Sequence, residues 1–131
     1  MASIFTRIIS GEIPGYKIAE TESCFAFLDI NPLAKGHTLV VPKKEIDYIF
    51  DIDDELYAGL WNFSKRVSMA IRKAVPCKRI GVAVIGLEVP HAHIHLIPMN
   101  RVSDMNFASP KLSLTAEELE TIGKKISQEF I

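Results

Sequence analysis

The sequence predicts an α+β domain built on a five-stranded antiparallel sheet. Three observations carry this: short apolar or alternating segments following one another, one long amphipathic helical segment among them, and the row His91-Ala92-His93-Ile94-His95, in which histidines alternate with apolar residues. A length of 131 residues suits a single domain with one core, residues 1–131, of which 100–131 form a C-terminal tail and helix.

Each element has its own reason. Ile4, Phe5, Ile8 and Ile9 recur at helical spacing before Gly11 and Pro14, which predicts a short N-terminal helix over 4–9. Strands follow over Tyr16 to Glu20 and Cys24 to Leu28, with Thr21-Glu22-Ser23 as the hairpin loop. Turn residues fill 30–36, and His37 to Pro42 is a third strand ended by its proline. The long helix is marked by Leu56, Leu60, Phe63, Val67, Ala70, Ile71 and Ala74 at three- and four-residue steps. It starts from the acidic run Asp51 to Glu55, which suits the positive end of a helix, and Pro76 closes it. Arg79 to Ile85 is a fourth strand and the histidine row a fifth. Thr115 and Glu118 have capping-box spacing and open a last helix to about Gln128.

Composition narrows the function. Apolar residues at 48%, charged residues at 24% and a net charge of −1 leave no electrostatic footprint for long nucleic acid, so a small partner is expected. No apolar run has transmembrane length, and the N-terminus lacks a secretory pattern. Cys24 and Cys77 have no companion at metal spacing and are expected as free thiols in a reducing cytoplasm.

In an extended strand with a rise of about 3.3 Å per residue, His91, His93 and His95 line one face at intervals of about 6.6 Å, while Ala92, Ile94 and Leu96 face the core. Residue types alone leave three readings open: a metal site, a nucleophilic phosphorus-transfer site and a structural polar network. Neutral imidazole is a competent nucleophile toward phosphorus, and its neighbours then hold its tautomer and donate to phosphate oxygen. Gly86 permits close backbone approach to an anion.

The motif His91-Ala92-His93-Ile94-His95-Leu96-Ile97 resembles that of the histidine-triad (HIT) family. Residues 3–14, 26–30 and 36–43 resemble the opening and the nucleoside-binding segments of its Hint-like branch, in the same order. The resemblance implies a HIT-like fold and hydrolysis or transfer at the α-phosphate of a purine nucleoside monophosphate conjugate, phosphoramidate-like, with no cofactor. It implies that His93 attacks phosphorus to give a nucleotidyl-histidine, that His91 orients it, that His95 contacts phosphate and leaving group, and that His37 supports the row. Asp29 corresponds to the ribose-binding acid, and Ile4, Phe5, Ile8, Phe27, Ile30 and Leu39 to the apolar wall around the base. Gly86, Glu88 and Val89 complete the nucleotide site, and a homodimer is implied. Alternative readings are a dinucleoside polyphosphate hydrolase and a nucleotide-binding protein with weak turnover.

The chain also departs from the branch. Positions that hold Cys-x-x-Cys and a later histidine as ligands of a structural zinc are here Ser3, Thr6 and Glu45, so no metal is expected. Ile80 and Leu87 replace an asparagine and a glutamine, and Glu88 stands where a hydroxyl residue assists the leaving amine, as either a proton donor or a rim charge. The segment Asn100 to Pro110 corresponds to a variable region that closes over the site.

Overall fold

The computed structural model describes residues 2–131. The chain runs α1 (Ile4–Ile9), β1 (Lys17–Glu20), β2 (Cys24–Leu28), β3 (Thr38–Pro42), α2 (Asp54–Ala74), β4 (Arg79–Ala83), β5 (Ile94–Met99) and α3 (Ala116–Glu129), with 3-10 turns at Ile49–Asp51 and Val102–Met105. All five strands pair antiparallel in the order β1-β2-β3-β5-β4, the predicted fold class.

Alternation along the strands divides the apolar residues between two faces. Cys24, Ala26, Leu28, Val40, Ile94 and Leu96 pack with Leu60, Phe63, Val67 and Ile71 of α2 and with Leu119 and Ile126 of α3, giving the main core. On the opposite face Phe25, Phe27, Leu39 and Val41 form a smaller cluster with Phe5 of α1. The helices start where the sequence signals them. Asp53 accepts from the Leu56 N–H at 2.8 Å to cap α2, and Thr115 and Glu118 exchange their hydrogen bonds at α3. No helix among the described residues is long and apolar enough to cross a membrane. Cys24 is buried and Cys77 partly so, both as free thiols.

The first and third strands start one residue later than expected, at Lys17 and Thr38, and two other strand boundaries differ by more. The fourth strand stops at Ala83 rather than Ile85, and Gly86 beyond it takes a left-handed conformation, φ 71°. The fifth starts at Ile94, so His91 and His93 precede it. Hydrogen bonding explains the late start: Ala92 N–H donates to the Ile46 carbonyl at 2.7 Å and His91 N–H turns back to the Val89 carbonyl at 2.8 Å, which takes both amides out of the ladder. The faces survive this change. Ala92 lies in the main core with Ile94 and Leu96, while the Phe5 ring on the other side meets His91 and His93 edge-on at 5.7 and 5.0 Å.

Candidate active site

Four histidines, all buried, sit on the α1 face of the sheet. His95 comes from β5, opposite Leu39 of β3, and His37 enters just before β3. Gly36 makes that entry possible. Its φ is 91°, and a Cβ there would stand 3.0 Å from Val75 Cγ2 and 3.3 Å from Pro98 Cγ, so both conformation and space call for glycine.

Hydrogen bonds assign each ring its proton, because a backbone N–H can only donate and a carbonyl can only accept. Leu33 N–H donates to His37 Nδ1 at 3.0 Å, so a neutral His37 carries its hydrogen on Nε2 and donates it to His95 Nδ1, also at 3.0 Å. His95 is left with Nε2–H as a free donor. Burial, reinforced by the neighbouring His95, pushes the His37 pKa down to about 3, and burial with the neighbouring His93 pushes His95 down to about 4. Both rings are therefore neutral at pH 7.

His93 Nδ1–H donates to the His91 carbonyl at 2.8 Å, which leaves the Nε2 lone pair bare. The group that holds the His93 ring is thus the backbone carbonyl of His91 rather than its imidazole. The His91 ring fastens its own segment instead: Nε2–H donates to the Pro42 carbonyl at 2.8 Å, and Nδ1 accepts from the Ser3 hydroxyl at 2.7 Å. Burial lowers the His91 pKa.

Ser3, Thr6, Glu45 and His91 form one cluster. Ser3 N–H donates to Glu45 Oε1 at 2.6 Å, and the Thr6 hydroxyl donates to the same oxygen at 2.7 Å; these bonds hold the Glu45 carboxyl below its usual range. Two hydroxyls, a carboxylate and one imidazole nitrogen, each already bonded within the cluster, do not fit a tetrahedral structural zinc, which takes thiolate and imidazole ligands. The donor atoms that do converge, within 4.8 Å of one another, belong to Asp29, His37 and His95 rather than to the histidine row alone.

Two cavities meet at the row. One, about 290 Å³, has Ile4, Phe5, Ile8, Phe27, Ile30 and Leu39 along its wall and Asp29 at its edge, and so gathers every apolar residue expected to surround a base. Ile13 and Pro14 also line it, although in the sequence Pro14 marks only a stop to α1. Its neighbour, about 310 Å³, is bounded by Asp29, His37, Gly86, Glu88, Phe107 and Lys111, among others. Asn31, Glu88, His93 and His95 border both, whereas Val89 lines only the first and Gly86 only the second. Asp29 Oδ1 accepts from Asn31 N–H at 2.9 Å and Oδ2 lies 3.6 Å from His37 Nε2; burial raises the carboxyl pKa, against the Asn31 hydrogen bond. Leu87 is exposed and lines the second cavity. Phe107 lies in the 100–110 segment expected to close over the site, whereas Lys111, just beyond it in a tract with no periodicity, carries no signal in the sequence.

Residues 10–102 match the HIT domain family. The chain belongs to the HIT family. It is 34% identical over 132 aligned residues, 99% of each chain, to a Schizosaccharomyces pombe protein named adenosine 5'-monophosphoramidase. A HIT-like protein from Bartonella henselae superposes with a TM-score of 0.84 at 31% identity, covering 98% of this chain and 96% of that one. A zinc-bound histidine triad family protein from Mycobacterium smegmatis superposes with a TM-score of 0.80 at 27% identity, covering 98% and 93%. This HIT chain thus shares the fold across nearly its full length.

Proposed function

We propose that the chain hydrolyses a purine nucleoside 5'-monophosphate joined to an amine through a P–N bond, with His93 as nucleophile and no metal in the reaction. The observation that carries this reading is the bare His93 Nε2 at the junction of an apolar cavity and a polar one, its tautomer set by the His91 carbonyl. The resemblance to a relative named for monophosphoramidase activity supports the same reaction class. The base lies against Phe5, Phe27 and Leu39, and Asp29 accepts the ribose hydroxyls. His93 Nε2 forms a bond to phosphorus as the P–N bond to the amine breaks, and the amine leaves after gaining one proton from solvent. His95 Nε2–H donates to a phosphate oxygen throughout. Water then attacks phosphorus, the N–P bond returns its electron pair to His93, and the water gives up one proton, so the nucleoside monophosphate departs and the site is restored.

The test is turnover of adenosine 5'-phosphoramidate, with diadenosine polyphosphates assayed in parallel. The phosphoramidate is expected to be the better substrate, at a rate unchanged by EDTA. Asp29→Asn is expected to raise KM by about tenfold, since a charge-assisted hydrogen bond becomes a neutral one. Faster cleavage of the polyphosphate would shift the substrate class, and tight AMP binding with no turnover of either would leave a binding protein.

The second part of the proposal is a homodimer through the β4 edge. That strand pairs only with β5 within the chain, and Val82 is 49% exposed beside Trp61, whose buried Nε1–H has no acceptor among the described residues. Sedimentation equilibrium is expected to give twice the chain mass, and Val82→Lys to give the monomer. A wild-type monomer at micromolar concentration would refute it.

A further inference from the structure

The two cavities divide a conjugate at its phosphate, and the residues on the leaving-group side state what that group must carry. The nucleoside side is walled by α1, β2 and β3. The other side is walled by the loop after β4, residues 85–88, and by the segment after β5, and its lining holds one formal cation, Lys111. Lys111 is held in place by that same segment. Its ammonium donates to the Phe107 carbonyl at 2.5 Å and the Ser109 carbonyl at 3.2 Å, which leaves one of its three N–H bonds for a ligand. The segment is itself pinned. Asn106 Oδ1 and its carbonyl accept from Ala108 and Ser109, both at 3.0 Å, and Leu112 N–H donates to the Pro32 carbonyl at 2.8 Å, in the turn that follows Asp29. The Phe107 ring stands edge-on to His95 at 4.9 Å and to His37 at 6.3 Å, so the placement of Lys111 is tied to the ring that donates to phosphate.

An ammonium ordered by backbone carbonyls loses little further entropy when a ligand arrives. Among the described residues no ion pair joins Lys111 to Glu88 or Asp29, although both acids line the same cavity and the Lys111 charge acts on Asp29 from a distance. Asp29 Oδ1 is occupied with Asn31 N–H, and its carboxylate borders both cavities.

We infer that Lys111, positioned by Phe107 and Ser109, selects leaving groups that carry an anionic oxygen, a carboxylate or a phosphate, beyond the scissile bond. This rests on the hydrolase reading for the direction of the conjugate, and on the geometry of the 106–112 segment for the selection. Phe107 covers the near end of the leaving group, and Lys111 meets its charged end.

The experiment compares adenosine 5'-phosphoramidates of alanine and of alaninamide, which differ in one negative charge, with ADP as the phosphate arm. For the wild-type protein kcat/KM is expected to favour the alanine conjugate over the alaninamide by about five- to tenfold, the range of one charge-assisted hydrogen bond in a half-open site. Lys111→Ala is expected to bring that ratio to about one, and Lys111→Arg to preserve it. The same ratio is expected in dissociation constants measured by calorimetry on the His93→Ala protein, where no turnover occurs. A wild-type ratio near one, or a ratio that Lys111→Ala leaves intact, overturns the inference. Failure of turnover with every conjugate refutes the hydrolase reading, and the binding ratio then decides the role of Lys111 by itself. Whichever of alanine and ADP loses more kcat/KM in Lys111→Ala identifies the anion as carboxylate or phosphate.

Discussion

His93→Ala is expected to lower turnover of adenosine 5'-phosphoramidate by about 10⁴-fold or more, because it removes the atom that forms the bond to phosphorus rather than a group that assists it. The expected loss is far larger than that from His91→Ala. The His91 ring bonds Ser3 and Pro42, and only its carbonyl touches His93, so the alanine variant keeps the acceptor that holds the nucleophile's Nδ1–H. His91→Ala loosens the segment and the grip of α1, which places its damage in folding stability and in a partial loss of kcat. Rapid quench of the wild-type protein with a nucleotide-labelled conjugate is expected to trap label that is stable in base and lost in acid, the behaviour of a phosphorus–imidazole bond. His93→Ala is expected to trap none. Comparable activity of the His93→Ala and wild-type proteins would refute the covalent route, and circular dichroism of the variant separates a chemical loss from an unfolded chain.

The contrast between His91 and His93 also marks what the sequence could not carry. Side-chain alternation correctly put the three histidines on one face and Ala92, Ile94 and Leu96 in the core, since that pattern depends on local geometry alone. It placed the start of the last strand too early, because what takes His91 and Ala92 out of the ladder is a hydrogen bond from Ala92 to Ile46, a residue distant in sequence. The helix starts were legible for the opposite reason. Asp53 caps from three residues away, as does Thr115, so both signals lie within one turn of their targets. Asp29 and His37 stood out by their family positions, but the chain of protons from Leu33 through His37 to His95 depends on a pairing of β3 with β5 that no window of sequence contains. Phe107 and Lys111 were hardest to see. They follow the last strand in a turn-rich tract, and only the folded tract brings them against His95.

The same buried rings make the fold sensitive to acid. His37 and His95 stay neutral in the folded chain down to about pH 3 and pH 4, whereas an unfolded histidine takes up its proton near pH 6.5. Above pH 6.5 neither state binds protons at these sites, and their contribution to stability is complete. Below it the unfolded chain binds more protons than the folded one, so stability falls as pH falls, by up to about 1.4 kcal/mol per pH unit for each histidine. The decline continues towards pH 4 for His95 and pH 3 for His37, and His91, whose pKa is also lowered, adds to it. Asp29 works the other way. Its raised pKa lets the folded carboxyl take a proton before the unfolded one, which offsets part of the loss as pH falls towards its ordinary value of 3.8. Thermal unfolding followed by circular dichroism is expected to give a Tm that is level between pH 7 and 8 and drops steeply from pH 6.5 to 4.5. His37→Gln keeps an acceptor for Leu33 and a donor for His95 but cannot titrate, so its decline is expected to be shallower by about the share of one histidine. A wild-type Tm that holds level to pH 5 would mean that the buried pair takes up protons without cost, and the fixed tautomers on which the nucleophile's setting depends would have to be abandoned.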